Sequence, residues 1–367
     1  MYDVLVVGAG FFGSVFAHEI TKAGKKCLVI DKRTHIGGNC YTRNNNGINI
    51  HEYGPHIFHT NSDKIWDYVN KFAEFRQFIY SPVANYKGHL YSLPFNMWTF
   101  HQLWGVTTPE EAMAKIEETK VEFDDPKNLE EWVLSQLGTD VYEKLVKGYT
   151  KKQWKKDPKD LPSFIIKRLP FRLTYDANYY NDKYCGIPKG GYTQIFDNLL
   201  KDIDVKLEVD FLEDKDMWES KAKTTVYTGP LDAYFDYKHG ELEYRTLNFT
   251  HMLVPKENVQ GVPVINYTSD DVSWTRSIEH KHFEKVKTDH TVVTYETPIE
   301  WSKDKVPYYP VNDSHNNSIV REYNREVRQL TNVIFGGRLA KYQYYDMDQV
   351  IGSALVAAER FLKTGEK

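Results

Sequence analysis

Six residues near the start, Gly8-Ala9-Gly10-Phe11-Phe12-Gly13, carry the most specific chemistry in the chain. Gly8 permits a tight turn, Gly10 lets backbone approach a pyrophosphate, and Gly13 lets a helix pack closely on a strand. The flanking pattern agrees. Asp3 to Val7 is a Val-rich apolar run that suits a buried parallel strand, Ser14 to Ala23 has helical spacing, and Lys26 to Ile30 is a second buried strand ending at Asp31. The helix start would offer unpaired N–H groups and partial positive charge to phosphates, and Asp31 would accept from a ribose hydroxyl. The chemistry is dinucleotide recognition. Gly37-Gly38-Asn39, just after the acid, lets backbone pass along a second stretch of ligand, which fits a long extended FAD better than NAD.

Two later segments belong with these. Val226-Tyr227-Thr228-Gly229-Pro230 resembles the returning strand of flavoproteins of the glutathione reductase and amine oxidase type. Gly336-Gly337-Arg338 follows the apolar run Val333 to Phe335 and precedes a long helix from about Asp346 to Leu362. In such folds that helix points its N-terminus at the flavin ring. The cofactor contacts expected from the glycine turns and their neighbours are Gly8, Gly10, Phe12, Gly13, Asp31, Lys32, Gly38 and Asn39, with no metal.

The elements around these motifs change character along the chain. Ser62 to Phe75 and Pro109 to Gly148 read as helical, with Thr108 as cap, Pro109 at the first helical position and acids behind it. Asn128 to Leu137 is a helix closing near Gly138, and Tyr149 to Pro162 reads as a basic, proline-punctuated loop. Alternation suggests antiparallel sheet over Pro170 to Tyr184 and Glu241 to Tyr309, with a helix from Gly190 to Leu200 and strands at Val205 to Phe211 and Thr224 to Thr228. The expected fold class is α/β: a discontinuous Rossmann-like FAD-binding domain over 1–60, 185–235 and 320–367. Into it are inserted a helical domain, 61–78 plus 97–165 with a mobile loop at 149–162, and an antiparallel β-sheet domain, 79–96, 166–184 and 236–319.

Composition removes several classes. The 367 residues carry a net charge of -4, which lacks the basic field that nucleic acid requires. No apolar stretch reaches the ~20 residues of a membrane span. The three cysteines, Cys27, Cys40 and Cys185, form neither a disulfide framework nor a zinc site. The N-terminus shows no secretory signal, so a cytoplasmic protein is expected.

Five motifs carry a resemblance to a known family. Gly54-Pro55-His56-Ile57-Phe58-His59-Thr60, Leu93-Pro94-Phe95-Asn96, Gly148-Tyr149-Thr150-Lys151-Lys152-Gln153-Trp154, Pro307-Tyr308-Tyr309-Pro310 and Tyr344-Tyr345-Asp346-Met347, in that order, resemble the bacterial UDP-galactopyranose mutases over nearly the whole chain. The resemblance implies interconversion of UDP-galactopyranose and UDP-galactofuranose without net redox change. FAD must be reduced, by a reductant such as NAD(P)H or dithionite. Flavin N5 attacks the anomeric carbon, UDP leaves, the sugar opens to an iminium ion, and the ring recloses through another hydroxyl. The resemblance also makes Arg168 and Arg276 diphosphate arginines acting in catalysis, adds His56, near N5, to the catalytic set, and puts His56, Phe211, Arg338, Asp346 and Met347 on the cofactor. Tyr309 and Tyr344 become hydroxyls on the diphosphate, Tyr179 the aromatic under uracil, and Asn266 a uridine amide. Tyr149, Trp154 and Arg245 complete the substrate contacts, with Trp154 on the loop that moves toward the nucleotide. A homodimer is the expected assembly. Two other readings share the fold class: a flavin oxidoreductase of the amine-oxidase type, and a binding module of the GDP-dissociation-inhibitor type. The arginines and tyrosines oppose the first; the intact glycine motif with Asp31 and Arg338 opposes the second.

Overall fold

The structure is a computed structural model that describes residues 1–166 and 171–365. Its first layer is a five-stranded parallel sheet in the order Asp204–Lys206, Cys27–Ile30, Tyr2–Val7, Ala222–Tyr227, Val333–Phe335. The central strands are apolar on both faces because both are covered. On one side Phe16, Ile20, Phe196, Leu199, Ala354 and Phe361 pack from the helices Phe11–Lys22, Thr193–Leu200 and Met347–Thr364. On the other, Leu5, Leu28 and Ile30 meet Tyr227, Tyr234, Tyr323 and Phe335.

A second, seven-stranded sheet runs Tyr309–Pro310, Tyr244–Val254, Thr291–Ile299, Arg276–Glu279, Val264–Tyr267, Val83–Tyr86, His89–Ser92. It is mixed rather than purely antiparallel, because Val83–Tyr86 runs parallel to Val264–Tyr267. A third layer is helical. Met97–Trp104 is capped by Asn96, and Pro109–Thr119 by Thr108 with the Glu111 side chain returning to the Thr108 N–H. Leu129–Val141 passes through a kink at Gly138 (φ 81°), where a Cβ would lie 2.1 Å from Thr119 Oγ1. The expected helix end at Gly138 is therefore only a bend.

Other expectations are corrected. The start of the expected loop at Tyr149 to Pro162 is helical: Lys147–Trp154 is a helix. Its lysines read as loop composition, but Thr150 and Lys152 are buried and tie it down. Within 171–183 the only strand-like pairing is a bridge between Phe95 and Phe171, and a strand begins only at Tyr184–Pro188. That strand pairs with Phe58–Thr60 and Phe75–Gln77, a small sheet where a helix was expected to run to Phe75. Phe211 lies in a short 3-10 turn rather than a strand. The helix Ser314–Gln329, capped by Asp313, was not anticipated. No described helix is long and apolar enough to cross a membrane.

Candidate functional site

The loops leaving the carboxyl ends of three parallel strands converge, which is where open α/β sheets bind ligands. After the first strand, Gly8 turns with φ +107°, and a Cβ there would lie 2.0 Å from Thr228 Oγ1 on the loop after the neighbouring strand. At Gly13 a Cβ would fall 1.9 Å from the Gly8 carbonyl, so only glycine lets this helix sit on its turn. Gly10 caps the helix without any side-chain bond, leaving its first N–H groups open to an anion. Gly38 lies against Gly10, its Cβ position 3.0 Å from the Gly10 Cα, so the two glycine stretches form one cradle.

Asp31 is anchored here. Its Oδ2 accepts from the Ala9 N–H at 2.8 Å and its Oδ1 from the Arg33 N–H at 2.9 Å. Each oxygen retains a lone pair for a ribose hydroxyl. Beside it Lys32 is exposed, whereas Arg33 turns inward. Arg33 Nη2 donates to Asn39 Oδ1 at 2.8 Å, the guanidinium lies over the Tyr53 ring, and Nη1 is buried without a partner among the described residues. An orphaned cationic donor between Asp31 and Asn39 fits a bound dinucleotide. Sequence reading chose Lys32 and missed Arg33; the two differ only in which side of the chain they occupy. Phe12 and Phe211 are buried supports. The Phe12 ring fills the space a Gly336 Cβ would take, and Phe211 packs on Tyr227 and Tyr234. Met347 packs partly buried on the first core, at the start of the helix that Asp346 caps.

The other wall comes from one face of the seven-stranded sheet. Arg245, Leu247, Phe249 and His251 alternate along one strand, and Thr294 and Glu296 along the next. Glu296 is paired with both Phe249 and Arg276, and Arg276 with Asn266, so these side chains share a face. Arg276 Nε meets Glu296 Oε1 at 3.0 Å and its Nη2 meets Oε2. Burial works against the Arg276 charge, but Glu296 together with Tyr149 and Tyr309 outweighs it and holds its pKa above the ordinary value. Glu296 was missed; a carboxylate inside the apolar run Val292-Val293-Thr294-Tyr295-Glu296 was the available signal. Asn266 Oδ1 is buried and accepts nothing from the described residues.

Tyrosines line the gap. Tyr309 and Tyr344 stack with centroids 5.2 Å apart, and Arg338 covers both rings while donating to the carbonyls of Tyr308 and Tyr345. Burial pushes the Tyr309 hydroxyl up to about 12. Tyr179 lies against Tyr80, and burial raises the Tyr149 hydroxyl above its usual range with Arg276 opposing. The helix carrying Tyr149 and Trp154 is pinned at both ends of its last turn. Lys152 Nζ donates to the Trp274 carbonyl at 2.9 Å, and Arg245 Nη1 to the Trp154 carbonyl at 2.6 Å. Arg245 is 8% exposed and its Nε and Nη2 have no partner among the described residues.

His56 joins the two walls. Its Nδ1 faces the Gly54 carbonyl at 2.8 Å, so Nδ1 carries the proton and Nε2 a lone pair. Burial, with the charges of Arg338 and Arg276, pushes its pKa down to about 4, so it is a neutral acceptor at neutral pH. Arg168 lies outside the described residues.

Comparison with known proteins agrees with this geometry. The UDP-galactopyranose mutase family matches residues 144–344, and an NAD(P)-binding Rossmann-like domain family matches 6–72. A dTDP-fucopyranose mutase of Escherichia coli is 37% identical, covering 100% of both chains. A Klebsiella pneumoniae protein named "Probable UDP-galactopyranose mutase" is 38% identical over 99% of this chain and 95% of its own. The crystal structure of a reduced UDP-galactopyranose mutase superposes with a TM-score of 0.76 at 13% identity, covering 99% of this chain and 94% of that one.

Proposed function

The chain belongs to the family of flavin-dependent UDP-galactopyranose mutases, and we propose that it contracts the pyranose ring of a nucleotide sugar, UDP-galactopyranose, to the furanose on a non-covalently held FAD. One observation carries this reading: Arg338, on the turn that follows the last parallel strand, lies over the ring of Tyr309, which pairs with Arg245 on the same sheet that carries Arg276. An anion site and a cofactor site thus share one gap. When bound and reduced, the flavin supplies the nucleophile, N5, for the anomeric carbon, with no net redox change.

The chain binds, orients and supplies charge. The open N–H groups after Gly10 take the cofactor pyrophosphate, with Asp31 on the ribose and Arg33 beside it. Arg276, steered by Glu296, stabilises the charge of the departing nucleotide diphosphate, with Tyr309 and Tyr344 as hydroxyl donors. Arg168 is assigned the matching role by resemblance. Tyr179 supports the base, and Asn266 Oδ1 accepts the imide N–H of a pyrimidine. His56 offers a lone pair and no proton, so it can take a proton from the reacting centre but does not act as an acid at neutral pH. The helix with Trp154, released from the Trp274 carbonyl and from Arg245, closes over the nucleotide and excludes water. We also propose the three-domain division, with the nucleotide sugar held between the glycine cradle and the sheet face.

A second reading rests on the full-length likeness to a dTDP-fucopyranose mutase. It changes the sugar and the base, not the chemistry. Reduced protein incubated separately with UDP-galactopyranose and dTDP-fucopyranose, followed by chromatography, tests both. A furanose product from the first supports the proposal; one from the second alone reassigns the substrate; none from either overturns the function.

A further inference from the structure

His56 is reached from behind by a chain of side chains that the reaction does not itself use. The His56 backbone N–H donates to Nδ1 of His51 at 3.0 Å, and the His51 backbone N–H donates to Nδ1 of His280 at 3.2 Å. His280 Nε2 and His251 Nδ1 meet at the Thr294 hydroxyl, at 2.6 and 2.7 Å. His251 Nε2 lies 3.3 Å from Glu52, whose other oxygen accepts from Arg43 Nε at 2.6 Å. His51, His280 and Thr294 are buried, and the His51 ring stacks on Phe283 with centroids 4.6 Å apart.

One arrangement of protons satisfies every link. A backbone N–H only donates, so Nδ1 of His51 and of His280 is a lone pair and each ring carries its proton on Nε2. His280 Nε2–H then donates to Thr294, whose hydroxyl proton goes to His251 Nδ1. His251 keeps Nε2–H, aimed at the Glu52 carboxylate. Burial pushes His51 down to about 3 and His280 well below its usual value, so both stay neutral and the orientation persists. Two links are backbone amides, which cannot hand a proton on. The chain therefore fixes position and conducts no proton.

What it positions is the turn at Gly54 to His56. Gly54 has φ +93°, and a Cβ there would sit 3.3 Å from Glu296 Oε2. The turn is thus held by the His56 ring on the Gly54 carbonyl, by the His56 N–H on His51, and by the bare Gly54 Cα against Glu296. Thr294 and Glu296 are two residues apart on one strand and share its face. That strand orients Arg276 with one side chain and steadies the acceptor for His56 with the other.

We propose that His51 is a positioning residue: its Nδ1, held as an acceptor by the His280–Thr294–His251–Glu52 chain, fixes the Gly54–His56 turn and so aims the His56 Nε2 lone pair at the reduced flavin. This rests on the function proposed above. The test uses full-length, FAD-loaded protein. His51→Phe keeps an aromatic ring on Phe283 but removes the acceptor, whereas His51→Asn places an amide oxygen where Nδ1 stood. Thr294→Val breaks the chain at constant volume, and Thr294→Ser retains the hydroxyl.

The readouts are the flavin midpoint potential, kcat and KM of the reduced enzyme, and Tm. His51→Phe and Thr294→Val should lower kcat about tenfold with KM within about twofold. They should also change the reduced-to-oxidised ratio at a fixed potential by about tenfold, ~30 mV for a two-electron couple. His51→Asn and Thr294→Ser should stay near wild type in both. If His51→Phe does not fold, Thr294→Val against Thr294→Ser carries the comparison. Variants that lose Tm but keep wild-type potential and kcat, or an asparagine variant as impaired as the phenylalanine one, would overturn the inference while leaving the function standing. Wild-type protein that holds no flavin would overturn the function itself.

Discussion

Arg276 and Glu296 stand directly opposite each other on neighbouring antiparallel strands and meet side-on, the Arg276 Nε 3.0 Å from Oε1 and Nη2 on Oε2. The Glu296 side chain is fully buried and that of Arg276 is 19% exposed. Glu296 uses two of the five donors of the guanidinium and fixes its plane, leaving the rest for a second anion. Such a pair is an aiming device as much as a structural bond.

Arg276→Ala should therefore lower kcat by about 10²–10³ while leaving FAD bound, the range for losing one donor on developing charge. Glu296→Gln keeps the shape but weakens the clamp and should cost about tenfold in kcat. Glu296→Ala leaves a buried cation uncompensated and should destabilise the fold by about 3–5 kcal/mol. Steady-state kinetics with urea unfolding checks all three; a Glu296→Gln enzyme at wild-type rate would separate Glu296 from the reaction.

Gly13 offers a cleaner break. A Cβ there falls 1.9 Å from the Gly8 carbonyl and 3.0 Å from Val6 Cγ1, so Gly13→Leu must push the helix from the strand. The cradle should open, and the purified variant should be colourless. Full flavin absorbance at wild-type stoichiometry would remove this turn from the cofactor site.

The helix Lys147–Trp154 is expected to move. Lys152 is 9% exposed, and burial pushes its pKa down to about 8. Lys152→Met removes the bond to the Trp274 carbonyl and should raise amide exchange over residues 149–154 by about tenfold without ligand. UDP should restore protection. Exchange indifferent to both the substitution and UDP would rule closure out.

How much of this was legible in the sequence varies by element. The glycine turn, Asp31 and the Gly336-Gly337-Arg338 turn were legible, because close approach of neighbouring atoms at Gly8, Gly13 and Gly336 leaves glycine as the only choice. The Lys147–Trp154 helix did not. Its stability comes from Lys152 and Arg245, and Arg245 is 91 residues away from the Trp154 carbonyl it binds, so local composition misled. Glu296 showed only as a carboxylate in an apolar run, because its partner is set by strand register, Arg276 standing opposite it. His51 is five residues from the His56 N–H it accepts, but what holds it there is His280, 229 residues away, which no local pattern encodes.

Acid should unfold the protein through its buried histidines. Burial holds His51 at about 3 and His56 at about 4, against about 6.5 for an unfolded histidine. Below about pH 6.5 the unfolded chain binds protons that the native one refuses, so stability falls as pH drops, until each folded pKa is reached. Each such histidine contributes a slope of about 1.4 kcal/mol per pH unit in its window. His51→Asn should remove one such slope. Urea unfolding at about pH 7, 6 and 5 reads it; parallel lines for the two proteins would show that His51 is already protonated in the fold.

The central claim is that the flavin acts without being consumed, while the chain supplies anion binding and orientation. The most direct measurement follows product and reductant together, with UDP-galactopyranose and dTDP-fucopyranose as separate substrates. The account predicts negligible turnover with oxidised enzyme, onset on reduction by dithionite, and many product molecules formed per reductant consumed. Full activity in the oxidised protein, or one reductant spent per product, would contradict it.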